Sequence, residues 1–122
     1  MRRHLRNLIV ASLVALSLPA QAFNIYPLFK DTPAERFDDR DIDLFMAAKS
    51  KALTEQPVGE PVRWENPATS ASGSITVVEE FQVGSRPCKR LRIENRANGQ
   101  SATGIWQYCR EPDGRWELSS IK

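Results

Sequence analysis

The sequence of 122 residues predicts an α+β fold, with one N-terminal helix packed on a twisted antiparallel meander of about five strands. Apolar residues have helical spacing between about Asp38 and Thr54, and from Pro61 onward they alternate with the period of a strand. Turn-forming residues separate the alternating segments. Cys88 and Cys109 fall opposite each other across one of these turns, so we expect one disulfide.

Residues 1–22 are predicted to be a secretory signal peptide. Three arginines are followed by an apolar run of 11 residues, Leu8–Leu18, and by the cleavage sequence Ala20-Gln21-Ala22. A membrane-spanning helix needs about 20 apolar residues, so we expect no transmembrane segment after cleavage. Residues 23–36 are then an N-terminal arm, and residues 37–122 form the α+β domain.

Cleavage would change the charge and composition of the chain. Three of the 17 basic residues would be removed, which leaves 14 basic and 15 acidic side chains and a net charge of about −1. A nearly neutral domain has no broad electrostatic attraction to nucleic acid. His4 would also be lost, which excludes histidine bases, nucleophile pairs and metal ligands. We therefore expect no enzyme activity and no cofactor.

Two helix-start patterns follow the arm. The sequence Thr32-Pro33-Ala34-Glu35 favours a short helical turn, because it combines a capping residue with proline at the first helical position. The second pattern has Asp38 as the N-cap and Asp41 three residues later, and it predicts a helix through about Thr54. The predicted buried stripe of this helix consists of Ile42, Phe45, Met46, Lys49 and Leu53.

Strands are predicted after the helix. The first covers about 61–65, and a Ser/Gly-rich loop extends to Gly73. The second covers about 74–83 and has a bulge near Glu79-Glu80, where the alternation breaks. Its predicted apolar side carries Ile75, Val77, Phe81 and Val83.

The pair Asn98-Gly99 fixes the register of the next hairpin. This pair favours a two-residue type I′ turn, so the numbers of opposite residues must add up to 197. Cys88 and Cys109 satisfy that condition and fall on a non-hydrogen-bonded pair, where a disulfide fits. The disulfide should contribute about 3 kcal/mol to the free energy of unfolding.

The same register sorts the side chains of the hairpin into two faces. Leu91 meets Trp106 and Lys89 meets Tyr108 on the predicted core face, whereas alternate residues such as Arg92 lie on the other face. The sequence 111–114, Glu-Pro-Asp-Gly, predicts a type I turn that brings a fifth strand back beside the fourth.

These motifs together resemble the C-terminal domain of the rickettsial-type outer-membrane surface-antigen family. The resemblance is carried by the segments 57–67, Gly73, 86–90, 108–110 and 112–116. It implies a location in the cell envelope and supplies no catalytic residues. Many members resemble lipoproteins with a glycine-zipper segment before this domain, and we expect this chain to have neither the lipidation cysteine nor that segment.

Basic side chains concentrate on the disulfide hairpin and form a candidate binding face: Arg86, Lys89, Arg90, Arg92 and Arg110. A solvated face is the more common role of such residues. A site for an anionic glycan or a lipid headgroup is the alternative. The three tryptophans could stack on sugars, but the register places Trp106 toward the core, which favours packing.

Two acidic patterns have ordinary explanations. Asp39, Asp41 and Asp43 match the opening of a calcium-binding loop, but Leu44 stands where that loop needs glycine, so carboxylates at a helix start are favoured. Glu79-Glu80 could act as a catalytic pair, but adjacent strand residues point to opposite faces.

The leading hypothesis is therefore an exported, non-enzymatic structural or interaction module of the cell envelope. It would be periplasmic or associated with the outer membrane or cell surface. Its partner would be an unknown envelope protein or cell-wall component. An alternative is a periplasmic inhibitor of a host enzyme such as lysozyme, and an enzyme that uses carboxylates alone is a third hypothesis.

Overall fold

The computed structural model describes residues 29–120 and confirms the predicted α+β architecture. The strands form one antiparallel sheet in the order β1-β2-β3-β4-β5. The predicted signal peptide and the first six residues of the predicted arm lie outside the described residues. The elements are a 3₁₀ helix (Pro33–Arg36), α1 (Asp39–Thr54), β1 (Val62–Asn66), β2 (Ala71–Val83), β3 (Arg86–Ala97), β4 (Gln100–Arg110) and β5 (Trp116–Ser120).

The helix begins at the capping residues that the sequence predicts. The Asp38 carboxylate accepts a hydrogen bond from the Asp41 backbone N–H at 2.8 Å, and the Asp41 carboxylate accepts one from the Asp38 N–H at 3.0 Å. This reciprocal pair satisfies two amide groups that the first turn leaves without helical partners.

None of the helices within residues 29–120 has the length and apolar composition of a membrane-spanning segment.

One face of the sheet, here called the inner face, packs against α1. It carries the buried side chains of Ile75, Val77, Leu91 and Ile93. The helix presents Phe45, Ala48, Ala52 and Leu53 to it, whereas Ile42, Met46 and Lys49 of the predicted stripe are only partly buried. Small residues at positions 48 and 52 let the helix approach the strands closely, which shifts the buried side of α1 toward them.

An aromatic cluster extends the core to the N-terminal side of α1. The Phe29 ring lies 5.5 Å from the Phe37 ring and 5.1 Å from the Phe45 ring, in edge-to-face geometry. Phe37 also meets Trp64 at 5.1 Å between ring centroids. Edge-to-face pairs at such distances are favourable beyond the area that they bury. Phe29, from the predicted arm, is therefore part of the core.

Strand β2 begins earlier than the sequence predicts. Residues 71–73, expected in a loop, continue the strand, and Gly73 pairs with Trp64 on one side and Asn95 on the other. A Cβ atom at Gly73 would lie 2.5 Å from Trp64 Nε1 and 2.7 Å from the carbonyl oxygen of Glu94. This glycine therefore makes room for neighbouring side chains, and it does not end the strand.

The bulge in β2 lies at Val78, one residue before its predicted position. Val77 pairs with Leu91 and Glu79 pairs with Arg90, so Val78 is the extra residue. An extra residue reverses the alternation of all that follow. Phe81 therefore lies on the opposite side of the sheet, here called the outer face, and the predicted grouping of Phe81 and Val83 with Ile75 and Val77 is wrong.

Both predicted turns have the backbone that they require. Asn98 and Gly99 have φ of 52° and 74°, as a type I′ turn demands, and Ala97 pairs with Gln100. Gly114 has φ of 91°, and Tyr108 pairs with Leu118 as predicted. The two turns set the register of three strands, because each fixes which residues face each other.

Candidate functional site

The disulfide joins neighbouring strands on the outer face. Cys88 and Cys109 are directly paired, with 4.1 Å between their Cα atoms, and each is 1% exposed. Phe81, paired with Cys88 from β2, shares this face. The predicted disulfide is confirmed, and it closes the β3–β4 hairpin at the end away from its turn.

Two of the predicted binding arginines form ion pairs. Arg86 and Arg90 lie on the outer face, where Arg86 pairs with Glu111 and Arg90 pairs with Glu79. The Arg90 guanidinium also lies 4.7 Å from the centroid of the Phe81 ring. These contacts hold both guanidinium groups beside the disulfide and offset their charge.

Lys89 lies on the inner face and caps the C-terminal end of α1. Its Nζ donates a hydrogen bond to the carbonyl oxygen of Leu53 at 2.8 Å and lies 3.4 Å from Glu80 Oε1. It also lies 5.3 Å from the centroid of the Trp116 ring. A cation at the last turn of a helix satisfies an unpaired carbonyl and complements the helix dipole. Lys89 therefore has a structural role that the sequence pattern did not reveal.

The five predicted basic residues do not share one surface. The alternation of β3 and β4 puts Arg86, Arg90 and Arg92 on the outer face, but Lys89 and Arg110 on the inner side. Arg92 and Arg110 are exposed, and neither has a carboxylate within 4.0 Å among residues 29–120. The outer-face subset is the part that the structure brings together.

A buried carboxylate connects α1 to the β1–β2 turn. Asp41 is 1% exposed, and its Oδ1 accepts hydrogen bonds from Asn66 Nδ2 and Thr69 Oγ1, each at 2.7 Å. Burial alone would raise the pKa of Asp41, but the hydrogen bonds from Thr69, the Asp38 backbone and Asn66 outweigh it and lower the pKa below 3.8. The sequence signalled only the capping role, because the partners are 25 and 28 residues away.

The structure shows where the side chains of the two acidic sequence patterns lie. Asp41 is occupied in the capping pair and the turn contacts, while Asp39 and Asp43 are exposed. Residues 29–120 contain no cluster of three or more side chains suited to hold a metal ion. Glu79 pairs with Arg90 on the outer face and Glu80 with Lys89 on the inner face, so the two carboxylates do not share a site.

Two titratable groups meet beside the second half of α1. Lys49 Nζ lies 5.2 Å from the centroid of the Tyr108 ring, and burial lowers the pKa of Lys49. Burial also raises the pKa of Tyr108, which keeps the phenol protonated. The contact is a cation–π packing interaction, which explains how a lysine interrupts the apolar stripe of α1.

The chain matches known proteins over most of the described sheet. Residues 51–117 match the family described as 17 kDa outer membrane surface antigen. The 17 kDa surface antigen of Rickettsia bellii (strain RML369-C) is 26% identical over 82 residues, which are 66% of this chain and 52% of that protein. The proteins of the same name from Rickettsia rickettsii and Rickettsia prowazekii (strain Madrid E) are 26% and 24% identical over the same shares.

The chain thus spans about half the length of the curated relatives that it matches. No solved structure matches it. The matched segment contains both cysteines and reaches from the end of α1 into β5.

Proposed function

This chain belongs to the 17 kDa outer membrane surface antigen family, and from that membership we propose that it is an exported, non-enzymatic protein of the cell envelope. It acts by binding another envelope component, either a protein or the cell wall. It is located either in the periplasm or at the outer membrane, on the periplasmic or the outer surface of that membrane.

The observation that carries this proposal is the family match across a disulfide-closed hairpin. Both cysteines fall within the matched segment, and each is buried in the bond between β3 and β4. Structural disulfides form and persist in oxidising compartments such as the periplasm. The arginine-led apolar run and the A-x-A sequence in residues 1–22 supply a route to that compartment.

The contacts of the charged side chains support a non-enzymatic role. Asp41 accepts three hydrogen bonds, Arg90 forms an ion pair with Glu79, and Lys89 caps the C-terminal end of α1. These groups stabilise the fold, and a catalytic acid or base instead needs access to a substrate.

Fractionation of cells that produce the full chain with a C-terminal epitope tag tests the location. We expect a shortened protein in the periplasmic or envelope fraction, with both thiols protected from alkylation until a reductant is added. A matched variant without residues 2–22 should stay in the cytosol with free thiols. Full-length protein in the cytosol with reactive thiols would reject the proposal.

A further inference from the structure

A small cavity lies between the inner face of β3 and β4 on one side and Thr32, just before the 3₁₀ helix, and Phe45 of α1 on the other. Its volume is about 100 Å³. The buried side chains of Phe45, Ile93 and Asn95 form its floor, and the partly exposed Trp106 lies at its mouth. The cavity therefore combines an apolar interior, one amide side chain and an aromatic ring at the entrance.

A glycine keeps the mouth of the cavity open. Gly104 faces Ile93 across the strands, and a Cβ atom there would lie 2.9 Å from Trp106 Nε1. The Trp106 indole therefore lies over the backbone of Gly104. A larger residue at position 104 would push the indole away from the strand and change the entrance.

The amide on the cavity floor has an unused hydrogen-bonding atom. Asn95 is 6% exposed, and its Oδ1 has no hydrogen-bond partner within residues 29–120. Trp64 Nε1 is likewise buried and unpaired, and both atoms lie within 3 Å of the position that a Gly73 Cβ would occupy. Gly73 and Trp64 do not line the cavity, so Oδ1 lies toward them and the other half of the carboxamide, Nδ2, is the half left for the cavity. A buried polar group without a partner is destabilising, so such groups commonly mark an ordered water or a ligand.

We propose that this cavity binds the acetamido group of an N-acetylated amino sugar in a glycan chain. This inference rests on the proposed envelope function, which brings the chain into contact with such glycans. An engineered cavity of about 150 Å³ in another protein binds benzene, which has six heavy atoms, so a cavity of about 100 Å³ has room for the four heavy atoms of an acetamido group. The group and the cavity therefore agree in size.

The chemistry of the lining also matches an acetamido group. The Nδ2 group of Asn95 is a donor, and it complements the C=O of a secondary amide. The methyl group would contact Phe45 and Ile93, and the sugar ring would lie against the indole of Trp106 at the mouth. The remaining hydroxyl groups of the sugar would stay in water.

Titration of the purified full-length protein with N-acetylated and de-acetylated glucosamine trisaccharides, followed by amide NMR shifts, tests the proposal. We expect saturable shifts at residues 93–95 and 102–106 with the acetylated sugar, and at least tenfold weaker binding of the de-acetylated sugar. Equal binding of both sugars, or saturable shifts confined to other residues, would overturn the proposal. The absence of binding to either sugar would also overturn it.

Two variants separate the cavity from the surface. Ala102→Leu adds volume to the lining and Asn95→Leu removes the amide, so each should weaken binding at least tenfold. Ile105 lies in β4 between two lining residues, but its side chain is exposed on the outer face, so Ile105→Ala is the matched control and should bind normally. Ala102→Leu removes no polar group, so it keeps the test valid if Asn95→Leu unfolds. Normal binding by a folded Ala102→Leu protein would contradict the assignment.

A soluble fragment of the wall glycan in a parallel titration identifies the source of the ligand. Binding to it supports a ligand in the cell wall, while binding to the trisaccharide alone points to another N-acetylated glycan. Fractionation tests the envelope location independently. Sugar binding by a protein found only in the cytosol would reject the envelope function and keep the cavity assignment.

Discussion

Replacement of Asp41 by alanine tests how the helix is attached to the sheet. The change removes the acceptor for Asn66 Nδ2 and Thr69 Oγ1, and it breaks one half of the reciprocal cap at Asp38. Asn66 is 5% exposed, so its amide would lose a partner inside the protein. An unpaired buried group costs about 1–3 kcal/mol and a lost cap about 0.5–2 kcal/mol, so we expect a loss of about 1.5–5 kcal/mol.

Urea denaturation of the oxidised protein, followed by tryptophan fluorescence and far-UV circular dichroism, measures this loss. The midpoint should fall while the slope stays unchanged, because the surface exposed on unfolding is nearly the same. Asp43→Ala is the matched control, since this exposed carboxylate lies in the same helix, and it should change the free energy of unfolding by less than about 0.5 kcal/mol.

A second variant tests how much of the lost free energy of unfolding comes from the contact between Asp41 and the β1–β2 turn. Thr69→Ala removes one of the three hydrogen bonds to the Asp41 carboxylate and should cost about 1 kcal/mol. In the Asp41→Ala background the same change should cost less, because only the hydrogen bond that Thr69 Oγ1 accepts from the Ala71 N–H at 3.2 Å remains to be lost. An Asp41→Ala protein within 1 kcal/mol of the Asp43→Ala protein, or full additivity with Thr69→Ala, would refute the reasoning.

Three further predictions follow from single contacts. The folded-state pKa of Asp41 lies below its ordinary value of 3.8, so the stabilisation from this carboxylate is complete above that pH and is lost as the pH falls through the folded-state pKa. Asp41→Ala should therefore flatten the acid unfolding curve in that pH range. An unchanged curve would contradict this prediction. Joint replacement of Cys88 and Cys109 by alanine should cost about 3 kcal/mol in urea denaturation, and a cost below 1 kcal/mol would show that the closed loop adds little. Gly73→Ala should cost about 1–3 kcal/mol or more, because its Cβ would overlap Trp64 and the backbone of β3, and a wild-type thermal midpoint would refute that overlap.

Features governed by neighbouring residues could be predicted from the sequence. The Asn98-Gly99 turn set the pairing of β3 with β4, and this pairing placed Cys88 opposite Cys109. The cap at Asp38 likewise set the start of α1. In each case a few adjacent residues determine the geometry, because turn and cap conformations depend on local backbone angles and side-chain acceptors.

Features that depend on distant packing were missed. The Ser/Gly-rich sequence that ends at Gly73 suggested a loop. In the structure, position 73 needs glycine because Trp64 and Asn95 from the neighbouring strands occupy the space that a side chain would take. The broken alternation in β2 indicated a bulge, but the position of the extra residue is set by the pairing with β3. The cavity beside Asn95 also escaped prediction, because it exists only where Thr32, α1, β3 and β4 meet.

The segment that matches the family cannot be the whole folding unit of this chain. Residues 51–117 include the sheet up to the start of β5, but only the last turn of α1. Phe29, Phe37 and Phe45, which cover the inner face, all precede the matched segment. A sheet with one apolar face must bury it against a second layer. The residues before position 51 supply that layer here, and through Phe45 they also complete the cavity that the sheet alone leaves open.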